Sequence, residues 1–125
     1  MKAILGIPFL LVVALVIYTQ RSFSGFTIWN ALPVGLGFGA LLIGLRSRSA
    51  IAVGWIAFAV SVTLLVALFH LAWIFDWGGT ATSSSTSALA FIFVPFWAPF
   101  FAGIIGLVAW GISRVLRRKP YDTTA

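Results

Sequence analysis

The chain has no cysteine and no glutamate, and among its 125 residues there are one histidine, one methionine and two aspartates. Without cysteine there is no disulfide framework, no thiolate metal site, no iron–sulfur cluster and no thiol nucleophile. A single histidine, with the initiator as the sole methionine, excludes a haem held by two histidines of one chain. The same scarcity leaves no ligand set for a zinc or two-metal enzyme. No GxxxxGK[ST] phosphate loop occurs. A serine hydrolase would need His70 as base, yet Ser61 lies nine residues away, about 13 Å along a shared helix. Charge is scarce too, at 8% of residues, where a soluble domain carries about 25%. Such a chain cannot cover its own surface in water, and its composition is that of an integral membrane protein.

What is present is hydrocarbon. Hydrophobic residues make up 62% of the sequence, and the mean hydropathy is +1.13. A bilayer core about 30 Å thick needs roughly 20 apolar residues per helix. Four stretches meet that need: Ala3–Thr19, Ile28–Leu45, Ile51–Phe75 and Ala88–Ser113. None holds Lys, Arg, Asp or Glu, and His70 is the one side chain inside them of a type that titrates near neutral pH. The runs are continuous rather than alternating, which argues against a membrane β-barrel. Lipid offers no partner to free backbone groups, so the spans are helices. The connections Gln20–Thr27, Arg46–Ala50 and Asp76–Ser87 are short and force neighbouring spans to run antiparallel. The sequence therefore predicts one all-α membrane domain over residues 1–125, with four antiparallel transmembrane helices. Lys2 before an apolar run also fits a signal peptide, but Gln20, Arg21 and the early Pro8 favour a retained first span.

The eight Lys and Arg residues set the direction. Lys2, Arg46, Arg48, Arg114, Arg117, Arg118 and Lys119 fall on one side, and Arg21 alone on the other. By the positive-inside rule both termini are expected in the cytoplasm, with the chain in a plasma membrane of the bacterial inner-membrane kind. The interfacial aromatics agree: Tyr18, Trp29, Trp73 and Trp77 near the outer edge, Trp55 and Trp110 near the inner one. On a soluble protein a net charge of +6 would suggest nucleic acid; here the charges mark membrane edges, and no nucleic-acid partner is expected.

Within the spans, Gly35 and Gly39 form a GxxxG pair, and Ala40 with Gly44 a second small-xxx-small pair. Small residues one turn apart let backbones approach closely, against either another helix of this chain or another subunit. Gly37 lies off the first pair's face. Thr63, His70 and Trp77 recur every seven residues along the third span. An ionisable group inside a membrane is a functional candidate, and an imidazole bonded to a backbone carbonyl is the structural alternative. Asp76 is the only acid near His70, although six residues of helix separate the two by about 120° around the axis. It opens a loop in which seven of the twelve residues 76–87 carry hydroxyls. That loop reads either as an outer cation or headgroup site or as a polar connection ending in a Thr86 or Ser87 cap.

Pro95, Pro99 and Gly103, four residues apart, share nearly one face of the fourth span, and the prolines predict a bend or break. Freed carbonyls there can line an ion path or be satisfied by neighbouring helices, and a bound quinone, carotenoid or lipid is a third reading. Arg114, Arg117, Arg118 and Lys119 form a juxtamembrane cluster suited to anionic lipid and to topology alike. In size and span count the chain is similar to fluoride channels and small multidrug exporters. It has neither the exporters' membrane-embedded glutamate nor the channels' Gly-Asn pore signature, and its charge bias favours one orientation.

The functional expectation is a non-catalytic accessory, assembly or binding subunit of a larger membrane complex, with lipid and other membrane subunits as partners and no cofactor. The alternatives are a small homo-oligomeric channel or transporter near His70 and the fourth helix, and a membrane immunity or exclusion protein.

Overall fold

Apolar runs free of charge become helices of membrane-crossing length. The computed structural model of the chain describes residues 2–20, 25–82 and 87–118. Its helices are α1 (Lys2–Gln20), α2 (Gly25–Arg46), α3 (Ala50–Ile74) and α4 (Ala90–Leu116). Single 3₁₀ turns at Trp77–Gly79 and Ser87–Leu89 lie between α3 and α4. All four helices are long and apolar enough to cross a membrane.

Their ends differ from the hydropathy boundaries in an instructive way. Helix α2 starts at Gly25 and takes in Phe26 and Thr27, which the sequence reading gave to a connection. Helix α4 continues through Arg114 to Leu116. Hydropathy marks where apolar residues stop, whereas a helix continues while its backbone bonds can be made. Ser87 does not cap α4: it lies in the preceding 3₁₀ turn, and the N-cap is Leu89, without a side-chain bond. Thr86 lies outside the described residues. Pro95 and Pro99 sit inside an uninterrupted α4, as Pro8 does in α1 and Pro33 in α2.

The core is a small apolar cluster drawn from all four helices: Val16, Val34, Val62, Val66, Ala98 and Ala102. Helix α1 is its weakest contributor, since Val16 is the single fully buried residue among those described in α1. Glycine brings the other helices together. A Cβ built on Gly44 would meet Ile56 at 2.9 Å and the Ala52 carbonyl at 3.2 Å. One on Gly37 would meet Val62 at 2.8 Å and Thr63 at 3.1 Å. Between α3 and α4 the approach is backbone to backbone: a Cβ on Gly106 would lie 2.9 Å from the Gly54 carbonyl, and one on Gly54 3.0 Å from the Gly106 carbonyl. In lipid, where apolar burial gives no preference for protein over solvent, such close dispersion contact holds helices together.

Candidate functional site

Contact order aligns the helices. From Gly44 to Gly37 on α2, the neighbour on α3 advances from Ala52 to Thr63. On α1 and α2, Phe38 touches Gly6 and Phe9, while Val34 packs with Val16. Val16, Val34 and Val66 thus form one layer. A step of four residues keeps the same helical face, and one such step toward the Asp76 end reaches Gln20, Asn30 and His70. The apolar core is therefore followed by a polar layer inside the bundle. His70 is 0% exposed, Asn30 1% and Thr27 1%, and the Gln20 Nε2 atom is buried.

Hydrogen bonding within this layer is incomplete. His70 Nδ1 lies 2.8 Å from the Val66 carbonyl. A carbonyl only accepts, so Nδ1 carries the proton and Nε2 of the neutral ring is an acceptor. That Nε2 is buried and has no partner among the described residues. Asn30 Nδ2 donates to the Phe26 carbonyl at 2.9 Å, leaving Oδ1 buried and equally without a partner. Aromatic rings close the layer. Phe91 of α4 makes edge contacts with Trp73 at 4.5 Å, Phe69 at 5.0 Å, His70 at 5.6 Å and Phe26 at 6.5 Å. On the other side the valine layer separates it from the Arg46 end. Thr63, also buried, gives its hydroxyl to the Ala59 carbonyl at 2.8 Å.

Asp76 belongs to a different structure. Its backbone is left-handed, φ 50°, followed by Gly78 and Gly79 at φ 61° and 76°. Aspartate and glycine tolerate this region better than branched residues. Its Oδ1 accepts the Ala81 and Thr82 N–H groups at 2.8 and 3.2 Å, and its Oδ2 accepts the Thr82 hydroxyl. The Thr82 hydroxyl, with the Ala81 amide second, holds this carboxyl below the usual carboxylate range. The carboxylate thus fastens its own turn and makes no hydrogen bond with His70. Trp77 likewise leaves the α3 stripe, stacking on Phe75 at 5.9 Å. Residues 83–86, the middle of the hydroxyl-rich run, lie outside the described residues.

The packing residues divide into occupied and open. Ala40 and Gly44 are buried on the side of α2 that meets α3. Gly37, which the spacing set aside, is there too. A Cβ on Gly35 or Gly39 would have nothing within 4 Å. On α4, Pro95 is buried and Pro99 half-buried, and Gly103 has no neighbour within 4 Å of its Cβ position. Gly103 lines an apolar cavity of about 360 Å³ with Gly54, Gly106, Trp55, Phe58 and Trp110. Arg114 holds its guanidinium 5.6 Å from the Trp110 ring centre; Arg117 and Arg118 are exposed. Lys119 lies outside the described residues.

Sequence reasoning passed over Asn30, Thr27 and Gln20. The available signal was an amide and a hydroxyl three residues apart at the edge of an apolar run, the spacing that puts both on one helical face.

The chain matches no family model, no curated protein and no solved structure.

Proposed function

We propose that this protein is a non-catalytic subunit of a larger assembly in a plasma membrane of the bacterial inner-membrane kind, docking through the Gly35–Gly39 face of α2. In this reading the four spans are antiparallel and both termini are cytoplasmic. Helix α4 bends where Pro95 and Pro99 withhold the N–H groups that the carbonyls four residues earlier would accept. The basic residues Arg46, Arg48, Arg114, Arg117 and Arg118 support the orientation. One observation carries the docking role. Gly37, Gly44, Gly54 and Gly106 are all in tight contact within the chain, whereas Gly35 and Gly39 present an unoccupied close-packing surface one turn long. Leu32, Leu36, Leu42 and Ile43 around them are exposed, as expected of a seam awaiting a helix.

The test is purification of tagged protein in mild detergent at native expression level, followed by intact mass measurement. Stoichiometric foreign subunits are expected, released by Gly39→Leu while the helical content stays unchanged. A pure homo-oligomer that conducts or transports after reconstitution would overturn the reading.

A second reading, a small homo-oligomeric channel or transporter, has one observation in its favour: the two buried acceptors, His70 Nε2 and Asn30 Oδ1, have no donor among the described residues. Liposome flux that is lost in His70→Ala would support it, and flat traces across ions between about pH 5 and 8, where a histidine titrates, would remove it.

A further inference from the structure

The α3–α4 interface changes character along its length. Toward Asp76 it is filled, with Phe91 seated against Phe69, His70 and Trp73. Toward Arg46 it is hollow. Gly54 and Gly106 bring the backbones into contact, and Gly103 adds no side chain, so the space between Trp55, Phe58 and Trp110 stays empty. The cavity opens sideways on the bundle surface, since its rim residues Ile51, Trp55 and Leu107 are 46, 37 and 65% exposed. It runs from Gly103 to Trp110 on α4, about 10 Å along the axis. Hydrocarbon, not water, fits such a lining.

The charge at its mouth narrows the choice of occupant. Trp110 is one wall, and the Arg114 guanidinium rests against that same indole. At 5.6 Å from the ring centre, cation–π attraction holds the guanidinium beside the indole, and its N–H groups suit a planar or tetrahedral oxyanion. Arg46 and Arg48, both exposed, precede α3 at this end. Asp76, the one acid among the described residues, lies at the opposite end. A hydrocarbon slot beneath a cation with no acid beside it among the described residues matches a molecule with an acyl chain and an anionic head.

We propose that this cavity binds one anionic phospholipid, its acyl chain lying over Gly54, Gly103 and Gly106 and its phosphate on Arg114. The site is separate from the Gly35–Gly39 face and independent of the docking role. It also differs from general attraction of a basic tail to a charged leaflet. Arg114, set by Trp110, selects the headgroup, and the glycines make room for the chain.

Native mass spectrometry of the delipidated full-length protein tests this, with phosphatidylglycerol and phosphatidylethanolamine of identical chains as probes. A single phosphatidylglycerol adduct is expected, retained about tenfold more strongly than phosphatidylethanolamine, which has the same phosphate but whose ammonium is repelled by the Arg114 cation and competes with it for that phosphate. Gly103→Leu fills the slot from a position with no neighbour to displace, and it should abolish the retained adduct with helical content unchanged. Arg114→Gln should equalise the two lipids, and Arg118→Gln should leave the preference intact. Equal retention of both lipids by the unaltered protein would overturn the proposal. So would an adduct that survives Gly103→Leu, a preference lost equally in Arg118→Gln, or a dimer that Gly103→Leu splits, which would show a second copy of the chain in the slot.

Discussion

Two pairs of glycines behave in opposite ways. Gly35 and Gly39 carry the recognisable GxxxG spacing, and the positions their Cβ atoms would take are empty. Gly54 and Gly106 stand outside any GxxxG pair, belong to different helices, and bring α3 and α4 backbone to backbone. A small-xxx-small string states that a helix can be approached closely on that side. Which helix comes is decided by the rest of the bundle. Here α3 occupies the side of α2 that bears Gly37, Ala40 and Gly44, which turns Gly35 and Gly39 away from it.

This contrast makes a graded series of predictions. The largest effect belongs to Gly106→Ala. Its new methyl would press on the Gly54 carbonyl at 2.9 Å, and backbone cannot yield as a side chain can, so the bundle should lose about 1–3 kcal/mol. Reversible unfolding in mixed detergent measures it, and an unchanged midpoint would dissolve the distinction between the two pairs. Gly37→Ala comes next. Its methyl meets a Val62 side-chain carbon at 2.8 Å; that buried, β-branched side chain yields only in part, and the alanine gains roughly 0.5–1 kcal/mol of helix preference. Because a side chain rather than backbone takes up the nearest contact, the net loss should fall below that of Gly106→Ala in the same assay. Gly39→Leu, which removes the partner in the docking test, should leave the isolated bundle within about 0.5 kcal/mol. A collapse of the isolated bundle would mean that this face is an internal contact after all.

The smallest effect lies outside both pairs, in the Asp76 turn. Its carboxyl is held below the ordinary range by Thr82 and Ala81. The turn therefore gains support from ionisation above the usual carboxylate pKa and loses it as pH falls through the lowered one. Hydrogen-exchange protection at the Ala81 and Thr82 amides, taken relative to the intrinsic rate at each pH, should fall on acidification, Asp76→Asn should flatten that dependence, and α3–α4 packing should not respond.

Much of the frame was readable from the chain. Four uncharged apolar runs become four helices because lipid leaves the backbone no alternative. The loss of resolution begins where one helix must know about another. The pairing of Gly54 with Gly106, and the choice of Gly37 over Gly35 and Gly39, depend on rotation about helix axes, which hydropathy does not encode. The buried layer was half visible. His70 stood out by charge, whereas Asn30 was hidden by its neutrality and its place near an apparent span edge. Asp76 and His70, adjacent by chemistry, are separated because α3 ends at Ile74 and the acid turns back on its own loop.

Thr19, Asn30, Thr63 and His70 all hydrogen-bond the carbonyl four residues earlier in their own helix. That habit bears on how the molecule is built. A span whose polar side chains are bonded locally can pass from an insertion machine into lipid alone, before its neighbours are made. Those four groups therefore need no neighbouring helix on entering a bilayer, whereas the Trp29 indole N–H, bonded to the Ile92 carbonyl of α4, and the acceptors of His70 and Asn30 wait for the later step in which the helices find one another.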